Sequence, residues 1–167
     1  GRIEQLGALT DRLGRVTKVA DLYPELCQAL AWAPDMAAMV LRLPGDVADL
    51  PASPEVLARR VGGSAGPFAA RATARLSLSR RVLTQVCRDR LAVLGRSNPI
   101  RDGDMMLTDT DGPPRTVVCA PILSTPEAVE AVYVEMPTDL AADGVLDFVQ
   151  AVADTAGLLR RNLVLTE

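Results

Sequence analysis

Thr116-Val-Val-Cys-Ala-Pro-Ile-Leu123, a turn at Ser124 to Pro126, and Ala131-Val-Tyr-Val-Glu135 form the stretch on which the rest of the chain depends. Two apolar, β-branched runs either side of a proline-containing turn predict a buried β-hairpin. The long helical pattern that follows from Ala142 gives this hairpin a helix to pack against. After it, Val145, Val149, Val152, Ala156, Leu159 and Leu163 step by fours and threes, with Leu146 and Phe148 widening the stripe. This is the best-defined helix of the sequence, and one face of it should lie on the sheet.

Upstream of the hairpin the elements are shorter. Leu6, Leu9, Leu13, Val16 and Ala20 recur at steps of three and four, an a/d pattern over about two heptads. Such a helix can pair with a copy of itself or pack on its own domain, and Gly7 and Gly14 weaken it either way. Leu22, Leu26, Ala29 and Leu30 extend the apolar stripe toward Trp32, as a second helix or a continuation, until Ala33-Pro34-Asp35 stops it. Strands are predicted over Met36 to Leu43 and Glu55 to Val61, separated by a proline-containing loop. Ser77 or Ser79 caps a helix carrying Val82, Leu83, Val86 and Cys87 on one face, and Leu91 to Leu94 is a further short strand.

Composition bounds the chemistry. The 167 residues suit one α+β domain whose core is aliphatic, since aromatic residues make up 3% of the chain. No apolar run reaches the roughly 18 residues of a membrane span and no secretory leader is visible, so a cytoplasmic location is expected. Gly1 stands where an initiator Met would, which reads as a position within a longer protein. The absence of His removes a His-ligated zinc or haem and any Ser-His or Cys-His couple. Cys27, Cys87 and Cys119 are odd in number and widely spaced, and read as buried free thiols. Gly62 to Gly66 lacks the Lys of a phosphate-cradling loop. Asp102, Asp104, Asp109 and Asp111 crowd one loop, yet alignment of Asp109-Thr-Asp111-Gly112 with a calcium-hand loop puts Leu107 first and Val118 twelfth, where carboxylates are needed. The expectation is therefore no metal and no catalytic residue.

Charge is unevenly distributed. Arg59 to Arg101 carries ten Arg and one acid, whereas Asp102 to Gly157 carries eleven acids and Arg115 alone, within a net charge of −3. The halves can compensate each other as solvated faces or present a basic patch to an anionic partner. The basic span lacks interleaved aromatics and the whole chain is acidic, which argues against direct nucleic-acid binding.

Leu78-Ser-Arg-Arg-Val-Leu-Thr-Gln-Val-Cys87, Arg90-Leu-Ala-Val-Leu94, Thr116 to Leu123, Ala131 to Glu135 and the helix through Asp147 to Leu163, in that order, resemble the GAF family of small-molecule-sensing domains. The version with Cys in the penultimate strand looks most like bacterial GAF domains fused to forkhead-associated domains in signalling and transcription-regulatory proteins. The resemblance implies a GAF/PAS-like α+β fold, with a central antiparallel sheet of five to six strands and the N- and C-terminal helices on one face. Residues 16–163 would form the domain, 1–15 a linker or dimerisation helix, and 164–167 a tail. A ligand pocket would lie on the other face, with Ser77, Arg80, Arg81 and Arg88 as candidate anion contacts.

The cyclic-nucleotide, bilin and haem signatures of the family do not occur, so no cofactor is expected. The implied function is a non-catalytic regulatory domain that couples a ligand or a partner to an output domain. A parallel homodimer would align Leu6, Leu9, Leu13 and Val16 beside Leu159 and Leu163. The alternatives are a degenerate member that serves only as a protein-interaction module, and a thiol-dependent free methionine sulfoxide reductase using Cys87 and Cys119.

Overall fold

The computed structural model describes residues 2–62, 78–97 and 115–166. Five antiparallel strands form one sheet in the order β2-β1-β5-β4-β3. They are β1 (Ala37–Pro44), β2 (Glu55–Val61), β3 (Val93–Ser97), β4 (Arg115–Ser124) and β5 (Ala128–Pro137). The helices are α1 (Arg2–Gly14), α2 (Val19–Leu30), α3 (Arg80–Asp89) and α4 (Val145–Thr166). The α+β fold predicted from the sequence is the one observed.

The hairpin lies inside the sheet: β4 and β5 pair from Arg115↔Pro137 to Ser124↔Val129, and β1 covers the far edge of β5. Burial on both faces explains why β1, β4 and β5 read as nearly continuous apolar runs. Ala38, Val40, Val118, Ala120, Ile122, Val132, Val134 and Met136 face one side, where α1, α2 and α4 pack. Met39, Leu41, Leu43, Val117, Cys119, Val129, Ala131 and Tyr133 face the other, beneath α3. The register of β4 against β5 slips between Pro121 and Leu123, beyond the last β3 pair at Cys119, where the missing proline N–H is tolerated.

Two boundaries differ from the sequence reading, and of its two alternatives for the first apolar stripe the separate helices are observed. The third strand starts at Val93, two residues later than expected, and leaves Leu91 exposed. The first apolar stripe is two helices, α1 and α2, with a break across residues 15–18. The last helix runs to Thr166, so residues 164–166 continue α4 where a tail was expected.

The first helix is also no free linker. Leu13 is 1% exposed and Leu9 is buried beside α2 and α4 in the same core, with Leu6, Val16, Leu159 and Leu163 packed against it. Leu9 and Leu13 of the expected seam are thus directed into their own domain, because α1 folds back over α2 and α4. At the closest approach of α4 to the sheet, a Cβ on Gly157 would stand 2.4 Å from the Ile122 carbonyl oxygen, so a glycine is required.

Candidate functional site

The sheet face beneath α3 is where a ligand was expected. Ser79 caps α3 through its hydroxyl, which accepts from the Val82 amide at 3.3 Å, while its own amide donates to the Tyr133 hydroxyl at 2.8 Å. Tyr133 is 1% exposed, and with Leu78, Val82, Leu83 and Val86 it fills the space between helix and sheet. Arg80 donates to the carbonyls of Leu50 and Pro51, at 2.9 and 3.0 Å, and so ties down the loop between β1 and β2. Arg81 is exposed, and Arg88 sits at the surface beside Asp89, 3.3 Å away. Ser77 lies outside the described residues, as does the acidic loop from Asp102 to Asp111. Arg80 and Arg88 are thus engaged by different parts of the chain, the loop after β1 and the end of α3.

The arginine with the most partners on this side is one the sequence reading passed over. Arg90 follows α3 in a left-handed conformation, φ 57° and ψ 33°. Its guanidinium donates to Thr125 O at 2.8 Å and Gly45 O at 2.9 Å, and its Nε to Cys87 O at 3.0 Å. It clasps the end of α3 to the turns after β1 and β4, a structural role that spends its donors on backbone carbonyls.

The thiols are poor nucleophiles. Burial pushes Cys27 and Cys119 up to about 12 and raises Cys87 as well. A thiolate is the reactive form, and at neutral pH these thiols stay protonated. Cys27 and Cys119 also lie on opposite faces of the sheet. Among the described residues no three His, Cys, Asp or Glu side chains are gathered as a metal site.

The polar centre of the described structure lies on the opposite face. Glu130 occupies an inward position of β5, 9% exposed, and its Oε1 accepts from the Tyr23 hydroxyl of α2 and from Arg160 Nε of α4 at 3.0 Å. The Arg160 guanidinium also lies over the Tyr23 ring, 5.4 Å from its centroid. Arg42 is the cross-strand neighbour of Glu130 on β1. Burial pushes the Glu130 carboxyl up, but the hydrogen bonds from Arg160 and Tyr23 and the charges of Arg160 and Arg42 outweigh it and hold the group below its ordinary value. Burial first, then the hydrogen bond to Glu130, raises the Tyr23 phenol. The arrangement is an ionised carboxylate joining two helices to a central strand. Its sequence signal was an acid between apolar neighbours in β5, a place that demands a partner.

Nearby, Trp32 and Phe148 meet edge to face with ring centroids 6.4 Å apart. Together with Ala8, Leu9 and Ala29 they line an open groove of about 320 Å³ between α1, α2 and the start of α4.

No family model matches the chain, and no curated protein matches it. Solved structures do. The GAF domain of an Acinetobacter phosphoenolpyruvate-protein phosphotransferase superposes with a TM-score of 0.59 at 8% identity, over 99% of this chain and 95% of that one. Residues 122 to 287 of a methyl-accepting chemotaxis protein give 0.55 at 15%, over 97% and 99%. The Escherichia coli DhaR(N)–DhaL complex gives 0.55 at 12%, over 96% of this chain and 53% of the matched one. At such identities the likeness is one of fold. No helix among the described residues is long and apolar enough to cross a membrane.

Proposed function

We propose that this chain is a non-catalytic regulatory domain of GAF type, cytoplasmic and part of a larger bacterial signalling or transcription-regulatory protein, such as those that join GAF to forkhead-associated domains. In this reading a ligand or partner acts on the α3 face, and the helical layer passes the change to an output domain or to a second copy of the chain. The observation that carries the proposal is the position of Glu130. It anchors α2 and α4 on one side of β5, while its neighbours Val129 and Ala131 belong to the core beneath α3. A shift of β5 driven from the α3 face would therefore disturb the Tyr23 and Arg160 contacts, and a two-state change of helix packing could follow. The protonated, buried thiols support a role without thiol catalysis.

Hydrogen exchange tests the coupling. Leu83→Ala, which loosens α3 alone, is expected to raise exchange in α4 around Arg160 as well as in α3. An effect confined to α3 and the strands it touches would overturn the coupling.

A second reading, a domain of this type that binds no small molecule and serves as an interaction module, is favoured by one observation. Tyr133 and the apolar face of α3 fill the space in which a ligand was expected. Assembly of a GAF-like domain with a protein has a parallel in the DhaR(N)–DhaL complex. Native mass spectrometry separates the two readings: a stoichiometric small molecule retained by the purified chain would exclude the second.

A further inference from the structure

We infer that the groove between α1, α2 and the start of α4 binds a small aromatic carboxylate, with its ring against Trp32 and its acid group on Arg12. The groove belongs to the helical layer, on the opposite side of the sheet from α3, and its volume of about 320 Å³ suits a ligand of one or two rings. Trp32 lines it and is 53% exposed, so much of the indole is open to a ligand. Ala8 and Ala29, small side chains on the two facing helices, leave the space for a ring.

The exposure of Trp32 does not come from a loose chain. Phe148 meets its ring edge to face, with 6.4 Å between centroids and 89° between planes. The backbone on either side is held as well: the Ala31 amide donates to Cys27 O at 3.0 Å, and the Met36 amide to Ala33 O at 3.1 Å. Gly62, just after β2, packs so closely that a Cβ there would stand 2.0 Å from Ala33 O and 2.7 Å from Ala31 O. On the facing wall, Leu9 is buried in the core and fixes α1. An aromatic side chain that is already held in place loses little freedom when a ligand covers it. A planar ring gains most there, through offset stacking or edge contact with the indole.

Charge decides the rest of the ligand. Among the described residues Arg12 is the one charged side chain that lines the groove. Its Nε donates to Glu25 Oε1 of α2, and its terminal nitrogens have no partner among the described residues. A guanidinium carries more donors than one carboxylate oxygen can accept from, so Glu25 fixes the group while the terminal nitrogens stay open to an anion. Gln5 lies on the same face of α1 and adds a side-chain amide at the rim. One cation matches a single carboxylate, whereas a phosphate or nucleotide of higher charge would be left largely uncompensated. A ligand ammonium would meet Arg12, and Glu25 is already engaged.

The site goes beyond the regulatory reading, since it lies across the sheet from α3 and needs no movement there. The chain has a single Trp, so its fluorescence reports on the groove directly. Titration of the 167-residue chain with phenylacetate is expected to change that fluorescence saturably, with a dissociation constant of about 1 mM or below. Phenylacetamide keeps the ring and loses the charge, and should bind about tenfold more weakly. Cyclohexylacetate keeps the charge and loses the planar ring, and should also bind more weakly. Arg12→Gln should abolish the preference for acid over amide. Glu25→Gln breaks the same ion pair but keeps the guanidinium, and should retain that preference. Ala29→Leu and Ala8→Leu, at helix positions that are not fully buried, should each fill the groove and abolish binding with no change in circular dichroism.

The site is overturned by phenylacetate that gives neither a saturable fluorescence change nor heat up to about 10 mM, or by equal binding of acid and amide to the native chain. Unchanged binding in both Ala8→Leu and Ala29→Leu would overturn it as well. Binding that Leu83→Ala alters and the two groove variants do not would move the ligand to the α3 face, which removes this site and leaves the regulatory reading standing. Loss of coupling between α3 and α4 in hydrogen exchange would remove the regulatory reading and leave the groove untouched.

Discussion

The two faces of the sheet solve the same problem, covering an apolar surface, in different ways. Beneath α3 the contact is largely apolar, with the Ser79 amide donating to the Tyr133 hydroxyl and with Arg80 and Arg90 holding backbone carbonyls at the rim. Beneath α1, α2 and α4 a larger apolar layer also encloses an ionised Glu130, held by Tyr23 and Arg160. Apolar packing is non-directional and lets a helix slide at little cost, whereas a buried charge pair tolerates few arrangements. The helical layer is thus positioned by a buried charge pair, and the α3 side by apolar packing with arginine–carbonyl bonds at its rim.

The largest expected effect tests whether α1 belongs to the helical layer. Leu13→Ala removes a side chain that is 1% exposed, and should cost about 3 kcal/mol in urea titrations, as large-to-small core changes do. The loss should be the same at low and high protein concentration. A loss that disappears on dilution would return α1 to the role of an intermolecular helix and dissolve the contrast between the faces.

A somewhat smaller effect is expected from the polar centre itself. Glu130→Ala leaves the Arg160 guanidinium and the Tyr23 hydroxyl without their shared acceptor in a largely buried site, and should cost about 2–3 kcal/mol. Tyr133→Phe, its counterpart on the other face, takes the acceptor from the Ser79 amide and should cost about 1 kcal/mol. Equal costs in thermal or urea unfolding would mean that the two faces are held in the same way.

What could be read in the sequence, and what could not, follows the same division. The hairpin was legible as two continuous apolar, β-branched runs around a proline turn, and α4 by apolar residues recurring at a period of 3.6 from Val145 to Leu163. Ser79 was legible as a cap because a hydroxyl before an apolar helical pattern satisfies free amides. The direction in which the Leu6 to Val16 stripe faces was not, since an a/d pattern looks alike whether it meets its own core or another chain. The partners of the candidate anion contact Arg80 were hidden for a related reason. Local sequence places an arginine on a helix, but the carbonyls of Leu50 and Pro51 that engage Arg80 come from thirty residues away. Glu130, Tyr23 and Arg160 are separated by up to 137 positions and meet only through the sheet order, so no spacing in the chain announces them.

The smallest effect is also the one specific to the charge of Glu130. Its carboxyl is held below the ordinary glutamate range in the folded protein, chiefly because the bonds from Arg160 and Tyr23 overcome the cost of burial. A group whose pKa is lower folded than unfolded stabilises the fold at pH values above the unfolded value, about 4.3 for glutamate, and loses that contribution as pH falls through the folded value. The stability difference between the native chain and Glu130→Gln, measured by urea unfolding, should accordingly be constant from neutral pH down to about 5 and shrink below about 4. Gln keeps the shape and can still accept from Tyr23 and Arg160, so the part of the difference that vanishes in acid reports the charge alone. Tyr23→Phe should reduce this acid-sensitive part, because it removes one of the two hydrogen bonds that lower the carboxyl. Substitutions at Tyr133 should leave it unchanged, because Tyr133 lies on the opposite face of the sheet from the Glu130 carboxylate and its partners. An acid-sensitive part of equal size in Tyr23→Phe and the native chain would assign the depressed pKa to Arg160 and Arg42, and reduce the role of α2 in the network to packing.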